Sequence, residues 1–178
     1  MRLAPLLAAA ALVLATPGIA RADDIEQTNQ VTFGVMGSYV PAQNDLEENV
    51  AAIGHYVAFT HTFDFVYVGA RAAILYGWLP SGASGQQFLL EPDFLVGLQL
   101  KPRDWRVALR LEVGSGPLVN AGEGFATTEI DHSYVRAEAQ VTIVKSVLVE
   151  AFAGPSFIVG PYTVGTLAEL GLGCGWNF

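Results

Sequence analysis

The residues best suited to chemistry stand together at Asp131-His132-Ser133, shortly after Glu129. A nucleophilic serine needs a histidine within hydrogen-bond reach and an acid that orients the histidine, and all three residue types are present. Their spacing argues against joint action. Neighbouring side chains on a strand point to opposite faces, so His132 and Ser133 are expected to part, His132 as a polar rim residue at the loop end of its strand. His55 and His61 share a parity but are six residues apart, about 20 Å along a strand, with no carboxylate between them, too far for joint metal ligation. His55 runs with Ile53, Val57 and Phe59 on an apolar face. Asp45, Glu47 and Glu48 read as a solvated loop cluster, with divalent-cation binding as the sharper alternative. Cys174 is the single cysteine, which excludes a disulfide framework, and its parity is also apolar. Neither a glycine-rich phosphate loop nor a metal-spaced Cys/His set occurs, so no cofactor and no metal are expected.

These residues ride on segments of period two. Trp105, Val107, Leu109, Leu111 and Val113 form one face of a strand against Arg106, Ala108, Arg110, Glu112 and Gly114. The end of the chain repeats the pattern, with Ala168, Leu170, Leu172, Cys174, Trp176 and Phe178 opposing Glu169, Gly171, Gly173, Gly175 and Asn177. Asp64–Gly77 and Tyr134–Ile143 alternate as cleanly, and Val31–Val40, Ile53–Thr62, Phe88–Leu100 and Val147–Val159 less so. The connections alternate in length. Pro41–Val50, Leu79–Gln87, Ser115–Thr128 and Gly160–Gly165 are long, whereas those at Phe63-Asp64, Lys101–Asp104 and Val144–Ser146 are short. Eight strands with short turns at one end and longer loops at the other describe an all-β fold, an eight-stranded antiparallel up-and-down transmembrane β-barrel. Aromatics fall near strand ends, as interfacial girdles require: Phe63, Phe65, Trp105, Trp176 and Phe178 at one, Tyr39, Trp78, Phe88 and Phe157 at the other.

Composition narrows the address. Of 178 residues 52% are hydrophobic, 15% charged and 19 glycine. Residues 1–22 have the layout of a secretory signal peptide, with Arg2, an apolar stretch from Leu3 to Ala15, and the exit Ala20-Arg21-Ala22. Cleavage there leaves a barrel of residues 23–178 with seven basic and seventeen acidic side chains, net −10. A nucleic-acid partner, which needs a basic footprint, is excluded. With no cysteine directly after the leader, lipid anchoring is not expected. The apolar windows Ala72–Leu90 and Ala151–Ala168 approach a membrane helix in length, but Pro80-Ser81-Gly82, Gly154-Pro155 and Gly160-Pro161 break them. A secreted soluble barrel or sandwich would show the same alternation with its faces reversed.

The closing strand Gly173-Cys174-Gly175-Trp176-Asn177-Phe178 ends on an aromatic and resembles the assembly signal of bacterial outer-membrane proteins, with Trp176 and Phe178 as its residues. With the leader and eight strands, the chain resembles the small OmpA/OmpX-type outer-membrane barrel class. The resemblance implies a diderm host and insertion by the barrel-assembly machinery. Outer-membrane lipids and lipopolysaccharide would then surround a monomer whose two termini are periplasmic. A peptidoglycan-binding domain, as larger members carry, is not expected after Phe178. Some barrels of this size modify lipid A, and the deacylases among them use a His-x-Ser arrangement. This chain lacks that spacing, leaving His132 and Ser133 as weak catalytic candidates.

An eight-stranded barrel is just wide enough for side chains to fill. The inward parity holds Arg71, Arg106, Arg110 and Arg136 against Glu91, Asp93, Glu112, Glu138, Glu150 and Glu169. Shielded charges must pair, and like charges directly opposite destabilise a sheet. The register that sets Arg110 opposite Glu138 and Glu112 opposite Arg136 is therefore expected, with Arg71 near Asp93 or Glu91 and Gly171, Gly173 and Gly175 making room. The reading is a non-enzymatic outer-membrane barrel with a plugged lumen, structural or surface-interacting through its long loops. The alternatives are a lipid A- or phospholipid-modifying hydrolase or acyltransferase, and passage of small apolar molecules.

Overall fold

The computed structural model describes residues 27–40, 50–78, 87–102, 105–120, 126–144, 146–159 and 164–178. The leader, the cluster Asp45, Glu47 and Glu48, and the side chains of Glu129 and Trp78 lie outside the described residues. Eight strands follow in chain order: β1 (Gln27–Val40), β2 (Val50–Phe63), β3 (Val66–Trp78), β4 (Gln87–Leu100), β5 (Val107–Asn120), β6 (Ala126–Val144), β7 (Val147–Val159) and β8 (Val164–Asn177). Each pairs antiparallel with the next, and β8 returns to β1, closing the barrel. Phe178 seals the seam by exchanging backbone hydrogen bonds with Asn29 at 2.9 and 3.1 Å.

The alternation dictates which way each strand faces. Leu109, Leu111, Leu170, Leu172, Ile53, Phe94 and Trp105 are exposed on the outer wall, whereas Arg71, Asp93, Arg110, Glu112 and Glu169 are buried inside. That is the reverse of a water-soluble barrel. A strand of 14 residues spans about 46 Å, and tilted by about 45° it crosses about 33 Å, the hydrocarbon thickness of a bilayer. Aromatics ring both ends of the outer wall, Phe63, Trp105, Trp176 and Phe178 at the short-turn end and Tyr39 and Phe157 at the other. Among the described residues no helix is long and apolar enough to cross a membrane.

The turns follow from local chemistry. Only Asp64 and Phe65 link β2 to β3, and Asp64 takes φ 59°, a left-handed conformation that Asp tolerates better than most residues. Trp105 donates its N–H to the carbonyl of Pro102 at 3.0 Å in the β4–β5 connection.

Two sequence expectations change here. Ser115–Thr128, read as a loop from its glycine, serine and proline content, is mostly strand, because β5 runs on to Asn120 and β6 starts at Ala126. The glycines serve close packing instead: a Cβ at Gly116 would run into the carbonyl of Pro92 on β4. Arg106, expected in the lumen, is exposed in a bend before β5. Its parity is inward, but it lies at the rim, where the barrel has opened to water.

Candidate functional site

The barrel interior is the place where polar groups concentrate, and a steric rule shapes it. Four inward aromatic residues each lie directly across from a glycine on a neighbouring strand: Tyr56 from Gly34, Tyr67 from Gly97, Tyr134 from Gly114 and Phe152 from Gly171. A Cβ at any of these glycines would overlap the facing ring. The rings therefore lie flat over the sheet, aromatic over glycine, as in the aromatic rescue of strand glycines. The expectation that Gly171 and Gly173 make room for charged side chains is thus modified: they accommodate Phe152 and the Tyr56 hydroxyl end.

The rings in turn carry the cations. Arg71 and Arg136 stack on Tyr134 at 4.4 and 4.0 Å from its centroid, Arg136 also lies 4.3 Å from Phe152, and Arg110 lies 4.4 Å from Tyr67. Ring faces attract guanidinium groups most where water is excluded. Each of these three arginines thus has a ring as well as a carboxylate for a partner.

Toward the short-turn end, Arg110 donates to Gln99 at 2.8 Å and to Gln30 at 2.9 Å, with Glu138 3.7 Å away. Gln140 bridges Glu138 (2.6 Å) and Glu150 (3.1 Å), and the Tyr56 hydroxyl donates to Glu150 at 2.6 Å. Glu112 accepts from the Tyr67 hydroxyl at 3.2 Å. Toward the long-connection end, Arg71 grips Asp93 through Nε (3.1 Å) and Nη2 (2.5 Å) and lies 3.9 Å from both Glu91 and Glu169. Arg136 pairs with Glu169 from β8.

In register, Arg110 faces Glu138, Glu112 faces Arg136 and Arg71 faces Asp93. Pairing in register and pairing of charges are nevertheless different things. Arg136 reaches across the lumen to Glu169 rather than sideways to Glu112, because a guanidinium extends inward and β8 curves round to meet it. Nor is the lumen polar throughout. Met36, Tyr56, Ala73, Leu75 and Phe152 form a buried apolar cluster within it.

His132 requires the largest correction. It is not a rim residue but is 1% exposed inside the barrel, because β6 extends past it and Tyr134 and Arg136 share its parity. Its Nε2 is 2.8 Å from Glu169 Oε1 and its Nδ1 is 3.4 Å from Asp93 Oδ1. Ser133, on the opposite face, has its Oγ 2.8 Å from Ser115 Oγ. The two weak catalytic candidates therefore do not form a dyad. The signal that could have placed His132 was the inward parity of its own strand, carried two residues further.

His55 is exposed on the outer wall beside Tyr76, and His61 is 2.8 Å from Asn29 Oδ1. Cys174 is free and half-buried. Two internal cavities each admit about 20 Å³, one lined by Gln30, Thr62, Gln99, Arg110 and Gln140, the other by Tyr56, Arg71, Glu112, Arg136 and Glu150 among others. Each is the space of about one water molecule.

No family model matches the chain, and no curated protein matches it in sequence. Solved structures match its fold. Neisserial surface protein A superimposes with a TM-score of 0.66 at 11% identity, over 85% of this chain and 97% of that one. Ail, the attachment invasion locus protein of Yersinia pestis, gives 0.57 at 14% identity, over 86% and 100%. The outer membrane protein OprG of Pseudomonas aeruginosa gives 0.55 at 12% identity, over 86% and 97%. The closed eight-stranded fold of the chain is that of small outer-membrane barrels.

Proposed function

We propose that this chain is an integral outer-membrane barrel of a Gram-negative bacterium. Its role is structural or surface-interacting, and it holds no open pore. The inside-out wall carries the reading: leucine, isoleucine, valine and aromatics face outward while arginine and glutamate face a packed lumen. The short-turn end, where both strand termini lie, belongs in the periplasm, as in barrels of this kind. The long connections then face outward as the interaction surface. Outer-membrane lipids and lipopolysaccharide bathe the wall of a monomer, and the barrel-assembly machinery inserts it by way of Trp176 and Phe178. Two of the structures it resembles are by name a surface protein and an attachment invasion locus protein, and the surface role rests on that analogy of fold.

Conductance tests this directly. The refolded protein in planar bilayers should give no steady current, and cell fractionation should recover it in the outer membrane with heat-modifiable gel mobility. A stable ion-conducting channel, or recovery as a soluble periplasmic protein, would refute the reading.

A second reading, passage of small apolar molecules through the wall, has one observation in its favour. Pro92 on β4 and Pro117 on β5 fall in the stretch where the paired ladder is interrupted, between Leu90↔Val119 and Phe94↔Ser115. Neither proline has an N–H to give, so the ladder loses hydrogen bonds there. Uptake of a small apolar solute that is lost on stapling β4 to β5 by a disulfide would favour it. A lipid-modifying activity gains no support from Ser133 and His132, which lie on opposite faces, and turnover of lipopolysaccharide or phospholipid by the purified barrel is its test.

A further inference from the structure

His132 presents both ring nitrogens to carboxylates, Glu169 at Nε2 and Asp93 at Nδ1. A neutral imidazole has one N–H and one lone pair, so one of these contacts would set lone pair against lone pair unless a positive charge lies between. Glu91 completes the group. One ligand atom each from Glu91 on β4, His132 on β6 and Glu169 on β8 lie within 4.8 Å of one another, and all three residues are buried. We propose that this cluster is a lumenal divalent-metal site, selective for zinc-like ions, with Glu91, His132 and Glu169 as ligands and Asp93 as the group that orients the imidazole.

Two observations favour a cation at the cluster. Glu91 Oε2 is buried with no hydrogen-bond partner, and Arg71 comes only to 3.9 Å. The described lumen also holds six carboxyl groups against three guanidiniums, more acid than the arginines alone can pair in a low-dielectric interior. A divalent ion would serve as partner to two of them, Glu91 and Glu169.

The geometry suits the ion. Zinc bonds of about 2.0–2.2 Å to nitrogen and oxygen separate neighbouring tetrahedral ligands by about 3.3 Å, so the 2.8 Å gap between Nε2 and Oε1 need open only by about half an ångström. Glu169 offers Oε1 to the site while its Oε2 stays with Arg136, which fixes the carboxylate. Asp93 behind Nδ1 supplies the carboxylate–histidine–metal relay that sets the imidazole tautomer. One imidazole with two carboxylates favours zinc over calcium or magnesium, which prefer all-oxygen sets. No sequence spacing announces the site, because its ligands come from three strands and meet only across the lumen.

The test is metal binding by the refolded barrel in detergent micelles, stripped with chelator. Titration with Zn²⁺ by calorimetry should show one saturable equivalent, and Co²⁺ should give the visible absorption of a four- or five-coordinate ion. His132→Ala and Glu91→Gln should each weaken Zn²⁺ binding at least 100-fold, Asp93→Asn by about 10–100-fold, and His55→Ala and His61→Ala not at all. The absence of saturable Zn²⁺ binding by the unmutated barrel would overturn the proposal and leave an imidazolium as the cation. Binding that survives His132→Ala would overturn it too. Should His132→Ala fail to fold, the near-isosteric Glu91→Gln decides, and full affinity there refutes the site.

Discussion

Replacing Arg71 with alanine probes the lumen most directly. Its guanidinium is almost wholly enclosed, makes two hydrogen bonds to Asp93, lies 3.9 Å from Glu91 and from Glu169, and stacks on Tyr134. Truncation leaves Asp93 buried with the His132 ring at 3.4 Å as its remaining ionisable contact. Breaking one side of a buried pair typically costs about 3–5 kcal/mol. The lost ring contact is worth about 0.5–2 kcal/mol, but it belongs to the same group, so the two do not simply add. The expected loss is about 3–5 kcal/mol, read by equilibrium urea unfolding in lipid vesicles with tryptophan fluorescence and gel mobility as probes. Arg106→Ala, at the exposed rim, should stay within about 0.5 kcal/mol of the parent. The double variant Arg71→Ala/Asp93→Ala should lose less than the sum of its singles, by about 2 kcal/mol, because it no longer strands Asp93. A loss below about 1 kcal/mol for Arg71→Ala, or strict additivity in the double variant, would refute the reasoning and mean that the lumen is wet enough to solvate Asp93.

Other outcomes follow from the wall and the glycine rule. Gly114→Val drives a side chain into the Tyr134 ring and should destabilise by about 1–3 kcal/mol, with part of the loss recovered by adding Tyr134→Ala; vesicle-folding yields and urea midpoints check both. Leu109→Arg on the exposed outer face, three residues into β5 from the short-turn end, should cost up to about 2 kcal/mol, between the interfacial and midplane values, while Ala108→Ser, one residue away and inward, should cost far less. Equal tolerance at the two positions would reverse the assignment of faces. Deleting Phe178 should impair assembly in cells while leaving the purified chain able to fold into vesicles, and undiminished insertion in cells would count against a terminal assembly signal.

Alternation is a property of a few consecutive residues, and so the eight strands, their outward apolar faces and the parity of Arg71, Asp93, Arg110, Glu112, Arg136 and Glu169 could be read along the chain. The β5–β6 register could also be argued locally, since a slip by two residues sets like charges opposite each other. Composition misled where it stood in for pairing. The Ser-Gly-Pro run at Ser115–Pro117 looks like a loop, yet it is strand because Gly114 and Gly116 let the Tyr134 ring and the Pro92 carbonyl approach. Strand ends are set by the neighbours that supply the ladder, which is why Arg106 falls outside the barrel and His132 within it. Only closure of β8 on β1 brings β4, β6 and β8 round one narrow lumen. That curvature, to which no single strand contributes a visible sign, sends Arg136 to Glu169 rather than to Glu112 and gathers Glu91, His132 and Glu169 into one cluster.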